Sequence, residues 1–183
     1  MGLANGLRKA AEFRWKLRPE ILLDPPKPKP IHGVAPRTVL GQQWWEQTRK
    51  AAYRSIGYHC VACGVWKHQA KGRRWLEGHE RYKIDYLLGR VEYIETVPLC
   101  HYCHNYVHPG RLQVMLDQGK ITQAKYAAII QHGDEVLRRA GLKKPPVYNG
   151  PFADWKNWRL VVNGKEYPPK YKSERAWNKE YEG

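Results

Sequence analysis

Four cysteines constrain this chain more tightly than any other residues. They stand in two matched pairs, Cys60-Val-Ala-Cys63 and Cys100-His-Tyr-Cys103, and there is no fifth. Each Cys-x-x-C turn puts two sulfurs on one side of an ion at about 2.3 Å, and two such turns close a tetrahedron around zinc. The fold must therefore carry residues 60–63 to residues 100–103. A site of this kind contributes on the order of 10 kcal/mol to folding. Two disulfides in an oxidising compartment would use the same cysteines, but one zinc site in a reducing cytosol employs all four together.

The second pair runs directly into His104 and His108. Residues four apart share one face of a helix, so two imidazoles there can hold a second, divalent ion. If one of them replaced a cysteine at the zinc, a thiolate would be left idle. His101 lies off that face and is expected to orient a neighbour or touch phosphate. Upstream stand His79 and Glu80. Neighbours on a strand point to opposite faces, so both serve one site only where the strand is distorted or lies at an edge. Gly78 would permit such a distortion.

Charge limits the partner. Lys and Arg number 32 against 17 acids, a formal charge of +15. That exceeds what solubility requires and suits a polyphosphate. Duplex DNA gripped through its backbone is the expected partner, and RNA stays open because phosphate contacts carry no identity. No apolar run is long enough to span a membrane, and the N-terminus has no signal-peptide core. A soluble, cytoplasmic protein with no membrane partner is expected; oligomeric state has no signature.

Four regions follow from the composition. Residues 1–38 hold a basic N-terminal arm, read as a helix over 1–23 from Leu3, Leu7, Ala10, Ala11 and Arg14. The arm continues into a Pro-rich linker over 24–36. Residues 39–110 hold the metal motifs. Trp45, Ala52 and Ile56 give a helix over 41–56 an apolar stripe, a packing pattern. Strands are expected over 73–81 and 90–97, then a helix from Cys100 that carries both histidines and is closed by Pro109-Gly110. Residues 111–146 read as helical, broken at Gly119 and Gly133 with caps at Thr122 and Asp134. The tail, 147–183, holds Trp155, Trp158 and Trp177 and a possible strand over 159–162 before the Asn163-Gly164 turn. Three tryptophans there imply that it wraps the core.

Leu76-Glu-Gly-His-Glu80 followed by Val97-Pro-Leu-Cys-His-Tyr-Cys-His-Asn-Tyr-Val-His108 resembles the zinc-stapled branch of the HNH (ββα-metal, His-Me finger) endonucleases, in particular small forms from phages and other mobile elements. The motif region is 58–108. The resemblance implies an α+β fold with a ββα-metal core, a four-cysteine structural zinc site and helical flanks. It implies hydrolysis of DNA phosphodiester bonds with one divalent ion (Mg, Mn, Ni or Zn). Cys60, Cys63, Cys100 and Cys103 match the structural zinc ligands. His104 and His108 match the helix ligands of the catalytic ion. The gap-free register makes His79 the third ligand and puts Glu80 at the general-base position. A shift by one makes His79 the base, with Glu77 or Glu80 near the metal. The asparagine that normally orients the base is replaced by Glu95, and Asn105 is the nearest asparagine. Asp85 is either an outer partner of a histidine or the cap of a turn. Two rivals remain: a zinc protein that grips nucleic acid without cutting, and a packaging accessory active only with a partner such as a terminase.

Overall fold

The computed structural model describes residues 16–181. The residues expected to give the N-terminal helix its periodicity, Leu3 to Arg14, lie outside them. The part inside, Pro19–Leu23, is a single 3-10 turn opened by Pro19, and its Ile21 and Leu22 are buried.

The protein is α+β, with a four-stranded sheet in the order β1-β2-β3-β4. Strand β1 (Leu76–Asp85) and strand β2 (Arg90–Cys100) form a long antiparallel hairpin, register Leu76↔Cys100 to Asp85↔Arg90. Strand β1 starts at Leu76, three residues later than expected, and both strands run past their expected ends. Lys83-Ile84-Asp85 continues β1, so the connection shrinks to a tight turn ending at Gly89, whose φ is +66°. The irregularity in β1 falls between Arg81 and Tyr82, not at Gly78. Gly78 has a packing role: a Cβ there would meet Trp45 at 2.9 Å. Trp45 belongs to helix α2 (Gln42–Ser55), which follows the one-and-a-half-turn helix α1 (Pro36–Leu40) and lies on that face of the hairpin. The tryptophan is core, as its stripe predicts.

The opposite face carries the short helix α3 (His101–Tyr106), which begins as β2 ends. It stops sooner than expected. Val107 caps it, and His108 is the N-cap of helix α4 (Pro109–Asp117), with Pro109 in the first turn of the new helix. Proline fits there because its missing N–H would have no partner in a first turn. Gly119 ends this region at φ +65°, and the Thr122 hydroxyl accepts from Lys125 N to open helix α5 (Gln123–Arg139). Helix α5 runs through Gly133 unbroken. That glycine is buried under Tyr106, whose ring occupies the space a Cβ would take. Asp134 does not cap a helix; it accepts from Tyr106 Oη at 2.6 Å.

Strand β3 (Arg159–Val162) pairs with β2 in parallel, and strand β4 (Lys165–Tyr167) returns through Asn163-Gly164, both at positive φ. The tail does wrap the core: Trp158 and, in helix α6 (Glu174–Tyr181), Trp177 are buried. The Pro-rich stretch is extended only in part, since Lys29–Ile31 form a 3-10 turn and Pro36 opens α1, and it is not a free spacer. Ile31 and Val34 pack against Val91, Trp158, Leu160 and Val162. It forms a strap, and Asp24, Pro25 and Lys27 lie against β1 and Val107-His108. No helix among the described residues is long and apolar enough to cross a membrane.

Candidate metal centres

The two cysteine pairs meet. One sulfur from each of Cys60, Cys63, Cys100 and Cys103 lies within 4.8 Å of the others. Local backbone explains it. Cys60 N donates to Val65 O and Gly64 N to Cys60 O, closing a turn in which Gly64 takes φ +77°. Val61 N donates to Pro98 O, which ties that turn to the end of β2. Cys100 is the N-cap of α3, and its sulfur accepts from Cys103 N. The thiols are free, with Cys63 and Cys100 sulfurs 3.8 Å apart. That is far beyond a disulfide bond. It equals the edge, about 3.8 Å, of a tetrahedron with 2.3 Å metal–sulfur bonds. Three of the four cysteines are buried, and burial opposes the thiolates of Cys60, Cys100 and Cys103. Crowding by the other sulfurs pushes the Cys103 thiol up as well. Only a cation allows four thiolates to coexist there, so the donor set fits a structural metal ion. His132, unremarked in the sequence, places Nε2 3.4 Å from Cys103 Sγ.

The second cluster joins His79 from β1, His104 from α3 and His108 from the α3–α4 junction. Their candidate ligand nitrogens lie within 4.8 Å of one another. The rings stand 4.8 to 5.8 Å apart by centroid. His79 Nε2 is buried without a hydrogen-bond partner among the described residues, and Asp24 Oδ2 is 3.7 Å away. A small cavity of about 30 Å³, lined by Asp24, Lys27, His79, Glu80 and His108 among others, opens beside them. That is room for one ion or water. Imidazole coordinates only when neutral. Burial, then the neighbouring charges of His104, His79, Arg111 and Lys27, push His108 down to about 2. Burial also lowers His104, against the pull of Glu77. Orphaned nitrogen, cavity and neutral ring fit a divalent ion bound by three histidines.

Glu77 supports this cluster, and sequence reasoning gave it only a minor place. Its two oxygens lie 2.6 Å from His101 Nδ1 and 2.8 Å from His104 Nδ1. Burial raises its carboxyl, but the two imidazoles outweigh that and hold it well below the usual carboxylate range. A carboxylate on Nδ1 fixes the ring and leaves Nε2 for an ion. His101 thus orients a neighbour, as expected. Asn105 Nδ2 donates to His101 O at 2.7 Å and does not reach the triad.

The other candidates are placed differently. Strand alternation puts Glu77, His79 and Arg81 on the α3 face and Glu80 on the other. Because β1 is an edge strand, Glu80 still reaches the cavity wall. Its Oε2 accepts from Tyr82 Oη at 3.1 Å; Oε1 is buried with no hydrogen bond, 3.8 Å from Arg37 Nε. Glu95 touches no histidine. It binds Arg18 and Arg81, and Arg81 in turn holds Asp24 through two hydrogen bonds of 2.7 and 2.8 Å. Asp85 is a turn cap: it accepts from Leu88 N at the far end of the hairpin. A wider cleft of about 1520 Å³ lies between residues 16–20 and α5, on the cysteine side, and holds none of the three histidines. Comparisons with family models, curated proteins and solved structures find no match.

Proposed function

We propose that the protein is a divalent-metal-dependent endonuclease that hydrolyses DNA phosphodiester bonds on a ββα-metal (HNH) core stapled by zinc. The convergence of His79, His104 and His108, with Glu77 behind His104, carries this reading. The order strand, strand, helix with ligands on β1 and α3, and the basic charge of the chain, support it.

His79, His104 and His108 would hold a divalent ion, which when bound would supply Lewis-acid stabilisation of the charge that develops in phosphodiester hydrolysis. Water gives a proton to the base and forms a bond to phosphorus, the bond from phosphorus to the 3′ oxygen breaks, and the 3′ oxygen takes up a proton from solvent. Glu80 is the base in this scheme, because its buried Oε1 is free to accept the proton of the water while Tyr82 holds Oε2. In this scheme the phosphate is held by Lys27, which lines the cavity, and by Arg111, whose charge acts on His104 and His108.

Supercoiled plasmid incubated with the protein and Mg or Mn should be nicked or linearised, and chelation of the added metal should stop it. His104→Ala should lower the rate at least about a hundredfold while the fold and the zinc are kept. Zinc loss in that variant would make His104 a structural ligand instead.

One observation favours a second reading. His79 is 5 % and His104 9 % exposed, and Asp24, Pro25 and Lys27 lie over His79 and His108. A cluster so covered suits a DNA-binding zinc protein that does not cut, or an accessory that cuts only when a partner such as a packaging terminase lifts the strap. DNA bound but never cleaved alone, and cleaved on addition of such a partner, would select the latter.

A further inference from the structure

Between Glu46 and Glu77 the chain has no acid and seven Lys and Arg residues. Three aromatic side chains in this block face solvent: Tyr58 is 38 %, Trp66 41 % and Trp75 52 % exposed. Each is tied to a basic neighbour: Lys67 Nζ lies 4.4 Å from the Tyr58 ring, Arg73 lies 5.2 Å from Trp75, and His68 packs edge-on against Trp66. Single exposed aromatics are ordinary. Three of them interleaved with cations and free of acids are the composition of a surface that tracks a phosphate backbone and stacks bases.

We infer that the surface around Trp75 binds unpaired nucleotides of DNA next to the histidine cluster, a proposal that rests on the reading of the protein as acting on DNA. In a paired duplex both faces of each base are stacked, so an exposed indole finds a partner only where a base is unpaired. The position is fixed at both ends. Gly72, at φ +82°, lies so close to α3 that a Cβ would meet His101 Cδ2 at 2.8 Å. Trp75 immediately precedes β1, four residues before His79, and so lies within about 14 Å of it along the chain. Arg73 covers one side of the ring, and Lys71 and Arg74 are exposed beside it.

The test is binding to a duplex with a single-stranded gap and to the same duplex fully paired, followed by fluorescence anisotropy. The zinc-loaded protein is used with no added Mg, Mn or Ni, so that no cleavage intervenes. The gapped DNA should bind about tenfold more tightly. Trp75→Ala should erase that preference, Arg73→Ala should reduce it, and Trp75→Phe should keep most of it, all with unchanged zinc content and circular dichroism. No preference in the unmodified protein, or a full preference in Trp75→Ala, would overturn the proposal, and tighter binding of an RNA of the same sequence would overturn its assignment to DNA. Failure to cut plasmid with the preference intact counts against the nuclease reading alone; cutting without the preference counts against this proposal alone.

Discussion

At the level of single residues, the chemistry divides between groups that hold an ion and groups that move a proton. Glu77 belongs to the first kind, because it touches rings and not the cavity. Glu77→Gln should weaken the affinity of the histidine cluster for metal about 10- to 100-fold, so that excess Mg or Mn restores cleavage. Glu80→Gln should lower the rate at every metal concentration. Titrating metal against cleavage rate separates the two; rescue of Glu80→Gln by metal would remove Glu80 from the base position. The triad histidines were legible as motif positions, but not through a shared helix face, because α3 ends at Tyr106 and His108 joins from the α3–α4 junction. Glu77 stands two residues before His79, on the same strand face, and that parity was the available signal. His132 had none: its neighbourhood with Cys103 depends on how α5 crosses α3.

At the level of elements, local punctuation predicted well wherever no tertiary contact competed with it. Thr122 caps α5 and Asn163-Gly164 turns β3 into β4 because nothing else claims those residues. Gly133 failed as a break because its missing side chain is the seat of Tyr106. Alanine there gains about 1 kcal/mol of helix propensity, but overpacking a filled core costs about 1–3 kcal/mol. The overlap with the ring is complete, so overpacking should win: Gly133→Ala is expected to lower the melting temperature by several degrees, read by thermal denaturation. The prolines of 24–36 predicted an extended linker only in part, because Lys29–Ile31 coil into a 3-10 turn, and the apolar Ile31 and Val34 were the sign that it docks. The cysteine turns can be tested together. Elemental analysis should find one zinc per chain, and Cys60→Ser should lose it, along with much of the stability, since the site contributes on the order of 10 kcal/mol. Zinc retained at full stoichiometry in Cys60→Ser would end the four-thiolate assignment.

At the level of the whole molecule, an excess of 15 positive charges sets how nucleic acid is approached. If about six phosphates are contacted, affinity for duplex DNA should fall about a thousandfold between roughly 50 and 200 mM salt. Filter binding or anisotropy across that range checks it, and an affinity indifferent to salt would leave the charge without a role in binding. The parallel pairing of β2 with β3 was not legible, because Arg90 and Arg159 belong to segments that no local pattern relates.

The same long reach settles the order in which the molecule can be completed. Residues 76–108, with every histidine of the triad, leave the ribosome before Trp158, Leu160 and Val162, on which the strap is seated. The far end adds its latch later still: Trp177 Nε1 donates to His32 Nδ1 at 3.1 Å, and Lys29 meets Glu174 at 3.2 Å. Contacts between residues so distant in the chain close slowly. The seat of the strap is therefore made after the histidines it covers, so Asp24, Pro25 and Lys27 can close over His79 and His108 only once the C-terminal segments are in place.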